Sequence, residues 1–516
     1  MKRLLKIIVY TALLGAFYVF TARMLFPLPD IADRHNEYTL PVSIATPIGA
    51  AVGAESALHP SKSGILPLRD GLGALVERLI LVETAAQSID AQYYIWHDDI
   101  SGILLLDALS RAAQRGVRVR LLLDDNGVPG LDGIMAALNS QENFEFRLFI
   151  PSTVRTPKYA GYTFDFLRMN RRMHNKSFIV DGAIAIVGGR NIGDEYFDVV
   201  EDNFYVDLDV LVAGPVVAET STMFDQYWNS QSVFAVETII NRAGSLDDFS
   251  ERAAEIAADP SAAPILHTVR GAATPGYIDR TKLQEWTDVQ LIADDPRKGQ
   301  GIATQDQLMI NQMGTILGSI ETRLDLVSAY FVPGHRGTDW LSEIALSGKD
   351  VRVVTNAMNT TDVPLGHAGY TKYRRELLNA GVRLYELKLR GGTSDAGLHP
   401  LPLGLSGASL HAKTFAIDGE RVFIGSFNFD PRSALLNSEM GYVIESASLA
   451  RLVSNGVDGP LLLASYQPDL TPEEKMIWQE PLYDGSLVIY QEEPGASWID
   501  QLTIAVLGLL PIEWLL

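Results

Sequence analysis

The chain has 516 residues, 42 basic and 63 acidic side chains, a formal net charge of −21 and no cysteine. Its length calls for two or more domains or one duplicated unit, and 47% hydrophobic with 20% charged residues excludes extended disorder and a multi-span membrane protein. The acidic balance disfavours nucleic acid as a partner, and without cysteine there is no disulfide, thiolate metal site or cysteine nucleophile.

The first predicted element is a hydrophobic helix, since no charge lies between Lys6 and Arg23. From Leu4 to Phe26 it would extend roughly 34 Å at about 1.5 Å per residue, enough for a hydrocarbon core near 30 Å. A cleaved secretory signal is the rival reading, but Arg23 sits where a cleavage site would be wanted. Lys2, Arg3 and Lys6 precede the helix, so the positive-inside rule keeps the N-terminus cytoplasmic. The rest then faces the periplasm of a bacterial inner membrane.

Next comes a strand, Ser88 to Trp96, then a helical pattern closed by Gly116 and a second strand, VRVRLLLDDN. A basic stretch follows, with Arg155, Lys158, Arg168, Arg171, Arg172 and Lys176 among Tyr159, Tyr162, Phe164 and Phe166. It reads as a rim for anionic lipid headgroups, with Arg171 and Arg172 as candidate headgroup contacts and the rings against acyl chains; a solvated loop is the plainer alternative. From about Glu219 to Gly301 the pattern loosens into a spacer.

A later copy of the strand, helix, glycine, strand order begins at Arg323, which makes the chain a repeat. Strands joined through helices predict a parallel sheet in each α/β half. The expected segments are an anchor or signal over 1–30, halves over 60–235 and 301–470 around a connector over 236–300, and a tail over 471–516. The tail ends in an apolar stretch from Trp498, readable equally as a helix at the membrane surface or as one docked on the core.

Each half contains His-x-Lys-x4-Asp. His174, Lys176 and Asp181 in HNKSFIVD recur as His411, Lys413 and Asp418 in HAKTFAID, and Asn191 recurs as Asn428, all at the same offset of 237 residues. In a strand, i and i+2 share a face, so His and Lys of each motif project together. Ammonium groups beside the imidazoles disfavour a metal ion and favour an anion, and phosphate fits. One His can attack phosphorus and form a phospho-histidine while the other protonates the departing oxygen and then deprotonates an incoming hydroxyl. The lysines and Asn191 and Asn428 would hold the phosphate oxygens. Glu439 and Asp207 are candidates to orient the imidazoles, with Asp209 a weaker one. Asp181 and Asp418 belong to the motif set, but each precedes a glycine and reads as a turn carboxylate.

These paired motifs, with GGRNIGDEYF after the first and GSFNFDPRS after the second, resemble the phospholipase D superfamily from about Leu66 to Ala464. The blocks AQYYIWHDD, DFLRMNRRMHNKSF, HAGYTKYRRELL, IGSFNFDPRSALLNSEMG and the closing PIEWLL are similar to bacterial cardiolipin synthases of the C type. The resemblance implies two phospholipase D-like α/β sandwich halves related by a pseudo-twofold. It implies transfer of a phosphatidyl group to phosphatidylglycerol, with phosphatidylethanolamine as donor, His174 as nucleophile, His411 as acid and base, and no metal or other cofactor. Many relatives carry two N-terminal membrane helices, so their topology does not transfer. A phospholipid hydrolase, a silent membrane scaffold and a nucleic-acid phosphodiesterase are the rival functions, and a helper protein stays open.

Overall fold

The computed structural model describes residues 2–199, 204–272, 283, 285–316, 318–361, 363–388, 408–482, 484–496, 498–508 and 513–515. The strands, in chain order, are β1 (Ser63–Leu68), β2 (Ser88–Ile95), β3 (Arg118–Gly127), β4 (Phe144–Phe149), β5 (Ser177–Val180), β6 (Ile184–Gly188), β7 (Phe204–Val206), β8 (Asp209–Ala213), β9 (Val233–Ala235) and β10 (Glu285–Thr287). They continue as β11 (Val289–Ala293), β12 (Arg323–Ser328), β13 (Asp350–Asn356), β14 (Arg383–Leu387), β15 (Ala408–Leu410), β16 (Lys413–Ile417), β17 (Arg421–Gly425), β18 (Met440–Glu445), β19 (Ser465–Leu470), β20 (Met476–Pro481) and β21 (Leu487–Tyr490).

One sheet has the order β10-β1-β8-β6-β5-β2-β3-β4-β9, the other β11-β18-β17-β16-β12-β13-β14-β19-β20-β21. Within these two sheets, among the described residues, β2-β3-β4 and β12-β13-β14 run parallel and the other neighbours antiparallel; a third sheet of two strands pairs β7 with β15 in parallel. The expected parallel sheets are therefore mixed. The reason is local: the strand after each His-x-Lys turns back at Asp181-Gly182 or Asp418-Gly419, where both residues have positive φ, and forms a hairpin rather than a helical crossover.

Side-chain alternation explains the layers. In β5, Phe178 and Val180 enter a core with Leu79, Leu104 and Leu105 of the helices, while Ile179 faces the other way. That second core lies between the sheets, where Val187, Val210 and Val212 meet Val422, Ile424 and Tyr442. A third packs Leu326, Phe415 and Ile417 against Leu341 and Leu377. The result is helices, sheet, sheet, helices, and the sheet-to-sheet core sets the two motif strands against each other. The segment read as a spacer takes part: β10 edges the first sheet and β11, one residue later, edges the second.

The N-terminal helix, Lys2–Leu25, leaves its apolar side chains exposed and has a mean hydropathy of 1.9. Its end is fastened to the helix Tyr162–Met169 by Tyr18 to Thr163 (2.6 Å), Arg23 to Asp165 (3.2 Å) and Phe26 stacked on Phe164. Tyr159, Phe166 and Leu167 are exposed beside it. The C-terminal helix, Trp498–Gly508, packs on the helix Pro364–Asn379 with Leu502 and Val506 outward. The tail helix is thus in contact with the body of the protein, with apolar groups on its outer side.

Candidate active site

Both halves build the same device. His174 stands just before β5, and its backbone N–H donates to the Ser438 carbonyl (2.8 Å) of the second half. The backbone N–H of His411, just before β16, donates to Val206 (2.9 Å) of the first half. Lys176 donates to the carbonyl of His174 (2.7 Å), and Lys413 to that of His411.

The carboxylates are crossed. Nδ1 of His174 lies 2.9 Å from Glu439, and Nδ1 of His411 lies 2.6 Å from Asp207, so each imidazole is held by the acid of the other half. The carbonyl of Ser426 is a further 3.1 Å partner of His174. A carboxylate on Nδ1 fixes the tautomer that leaves the Nε2 lone pair free for a reacting group. Asp207 fits because Gly189 has no side chain; a Cβ there would lie 2.2 Å from its carboxylate. At the position equivalent to Gly189 the second half has Ser426, whose hydroxyl donates to Glu439 (2.5 Å).

The rings also enclose both imidazoles. Tyr94 packs edge-on to His174 (5.2 Å), and Tyr196 and Tyr205 pack on His411 (5.0 Å each). Asn191 accepts from the Ile95 N–H (3.2 Å), and among the described residues its buried Nδ2 has no partner, nor has the buried Oδ1 of Asn428. A half-turn about the amide exchanges that oxygen for an NH2 donor.

Electrostatics join the two motifs into one site. Burial, then Lys176 and Lys413, hold the His174 imidazole well below its usual value. Burial and Lys413, opposed by the bond to Asp207, bring His411 down to about 4. Burial works against the charge of Asp207, but the hydrogen bond and charge of His411 with Lys413 hold it at about 2. Burial lifts Glu439 to about 7 against Lys176. Each lysine thus depresses the histidine of the other motif as well as its own, and an arriving anion would reverse that pressure.

Asp181 and Asp418 stay outside this centre and leave the catalytic set. Asp181 accepts the backbone N–H groups of Ala86, Gln87 and Ser88, and Asp418 those of Glu321, Thr322 and Arg323. Each is a strap at the far end of its motif strand. Asp181→Ala should therefore cost about 1–3 kcal/mol of stability, as unpaired buried donors do, while the folded fraction keeps its turnover within about threefold. A melting curve with a specific-activity measurement checks this; a fully folded but inactive variant would return Asp181 to the chemistry.

The basic rim is corrected too. Arg172 is buried and paired through two nitrogens with Asp124, so it is a core ion pair and not a headgroup contact. Arg155 pairs with Asp125 and Asp132, Lys158 with Asp125, and Arg168 with Asp165. Arg171 is half-exposed, donates to the Leu167 carbonyl and covers Gly301. Of the rings, Phe164 is buried against Phe26, whereas Tyr159 and Phe166 are exposed. Asp209 is occupied by Arg78 (2.8 Å).

Sequence reasoning missed Asp294, which clamps Glu439: it accepts the Glu439 N–H (2.9 Å) and Lys298 (2.7 Å), and its own N–H donates to the Glu439 carbonyl (2.9 Å). Among the described residues His97, Asp99 and Glu195 bring ligand atoms within 4.8 Å of one another. Asp99 is engaged in capping the helix Ile100–Gln114 and in accepting the Asp194 N–H, and Glu195 faces His97 at 3.2 Å.

Comparison with known proteins finds relatives along both halves. The family described as cardiolipin synthase, PLD-like domain matches residues 79–228 and 314–458, one match on each half. The chain is 43% identical to cardiolipin synthase C of Escherichia coli K12 over 89% of this chain and 97% of that one. It is 26% identical to a cardiolipin synthase of Listeria welshimeri over 77% of this chain and 68% of that one. The crystal structure of phosphatidylserine synthase from Haemophilus influenzae superposes with a TM-score of 0.56 at 13% identity, covering 90% of this chain and all of that one, which speaks to the fold.

Proposed function

The chain belongs to the cardiolipin synthase, PLD-like family and is a phosphatidyltransferase, and from that premise we propose the substrates, the covalent step and the role of each residue. The donor is phosphatidylethanolamine and the acceptor phosphatidylglycerol. Nε2 of His174 attacks phosphorus, the bond to the ethanolamine oxygen breaks, and His411 gives that oxygen its proton. His411, now neutral, takes the proton of a phosphatidylglycerol hydroxyl; the hydroxyl oxygen attacks phosphorus and the bond to His174 breaks. Products are cardiolipin and ethanolamine.

The observation that carries this reading is the crossed pairing of His174 with Glu439 and His411 with Asp207. It gives each imidazole a carboxylate on Nδ1, as a mechanism needs when one is nucleophile and the other proton carrier. The bound diester, itself an anion, raises the depressed His411 pKa and so lets the imidazole hold the proton it must donate. Lys176, Lys413, Asn191 and Asn428 hold the non-bridging oxygens.

The enzyme is a bacterial inner-membrane protein held by the helix Lys2–Leu25, and the catalytic body faces the periplasm; Lys2, Arg3 and Lys6 on the short N-terminal flank support that orientation.

The test is lipid mass spectrometry with phosphatidylglycerol and acyl-deuterated phosphatidylethanolamine. Mixed-label cardiolipin is expected. Unlabelled cardiolipin alone would make phosphatidylglycerol the donor, and labelled phosphatidic acid alone would make the protein a hydrolase.

A further inference from the structure

After β17 the chain runs Ser426-Phe427-Asn428-Phe429, and alternation divides these residues. Ser426 touches His174, whereas Phe427 and Phe429 line a different space. That space is a cavity of about 520 Å³ in the second half, walled also by Leu308, Met313, Leu326 and Phe415. Its size falls in the range of about 300–1,000 Å³ usual for ligand pockets. Protein interiors pack close to crystal density, so a mostly apolar, partly open space of this size is a place for an apolar occupant, with His335, Arg336 and Asp430 among its charged or polar lining.

The position of its mouth says which occupant. Leu435 and Trp340 stand there, 54% and 38% exposed. Leu435 ends the short helix Pro431–Leu435, in which Arg432 donates to the carbonyl of Asn170 (2.8 Å) and to that of Leu515 (3.1 Å). Asn170 closes the helix Tyr162–Met169, to which the N-terminal membrane helix is fastened. One face thus carries the anchor, the exposed Phe166 and Leu167, the exposed Trp514 and the cavity mouth. The phosphate site shares a wall with the cavity through residues 426–429.

We propose that this cavity receives one fatty acyl chain of the phosphatidyl group while its phosphorus is held at His174. The inference rests on the reading of His174 as the nucleophile. It answers a physical need of that reading: a covalent phosphatidyl-enzyme must keep its diacylglycerol out of water until the acceptor arrives, and burial of chain methylenes beside the nucleophile does so.

The test fills the cavity in the full-length, membrane-reconstituted enzyme. Gly314 lines it, and a Cβ added there meets no described atom within 4 Å, so Gly314→Phe starts its side chain from open space at the cavity wall. Ala434→Phe fills it from the opposite wall. For each, the ratio of turnover on dioleoyl to turnover on dihexanoyl phosphatidylethanolamine should fall at least tenfold. A ratio within twofold of the parent in both variants overturns the proposal.

A second measurement does not depend on turnover or on the variants' folding. Phosphatidylethanolamine bearing a photoreactive group at the end of one acyl chain should label Met313, Phe415 or Phe427 in the parent enzyme. Label confined to residues 2–25 and 162–169 would mean that the chains stay in the bilayer, and would equally overturn it. Failure of the underlying function looks different: the parent then makes no cardiolipin at all, whatever the chain length.

Discussion

His174→Ala and His411→Ala should each remove cardiolipin synthesis, and under the proposed roles they should stop it at different bonds. Loss of a positioned acid and base costs about 10²–10⁴-fold, and the proposed mechanism uses His411 in both half-reactions, while loss of His174 would remove the atom proposed to attack. The distinction becomes measurable with a donor whose leaving group needs no proton, such as a phosphatidyl ester of 4-nitrophenol. His411→Ala should release one equivalent of nitrophenolate in a burst and then stall with phosphatidyl on His174. His174→Ala should show no burst. A burst from His174→Ala and none from His411→Ala would exchange the two roles; a burst from neither would remove the covalent step.

Asp207→Asn should lower turnover by about 10²–10⁴-fold, the scale on which loss of an orienting carboxylate leaves an imidazole in the wrong tautomer. It should also move the pH profile. His411 must be protonated to act as acid, so activity is lost as pH rises through its pKa in the enzyme-substrate complex. Asp207, ionised down to about 2, supports that proton; without its charge the pKa falls and the alkaline limb moves to lower pH. Glu439 behaves otherwise. Burial holds it near 7, so in the free enzyme its carboxylate is lost as pH drops through that value and the support of His174 is lost with it. Glu439→Gln, which has no proton to gain, should be slow at every pH and lack that acid limb in kcat/KM. An unshifted alkaline limb in Asp207→Asn, or an acid limb retained in Glu439→Gln, would separate these acids from their imidazoles.

Much of the centre was legible in the spacing of the motifs, because a duplicated strand repeats its outward-facing residues at one offset. Asp207 and Glu439 could be nominated as acids but not assigned, since which carboxylate meets which imidazole depends on how two distant strands pack. Arg172 shows the limit of charge reading: a cation in an aromatic stretch looks the same in sequence whether it faces lipid or, as here, closes on Asp124 in the core. Asp294 was hidden in a turn-rich stretch with no motif, where only the strand β11 brings it under Glu439. The mixed sheets were missed because the helix-linked strands were read correctly but extended to neighbours that are joined by tight hairpins.

The exchange of carboxylates between halves bears on what the duplication is for. Neither repeat is a spare: each imidazole is held by the acid of the other copy, so a lesion in either acid should be felt in the opposite repeat. Cutting the chain between the repeats would leave two fragments, each owning a histidine without its acid and an acid without its histidine. Two identical single-repeat chains meeting face to face would possess the same reciprocal arrangement, and in this chain a single residue, Asp288, separates the strand that edges one sheet from the strand that edges the other.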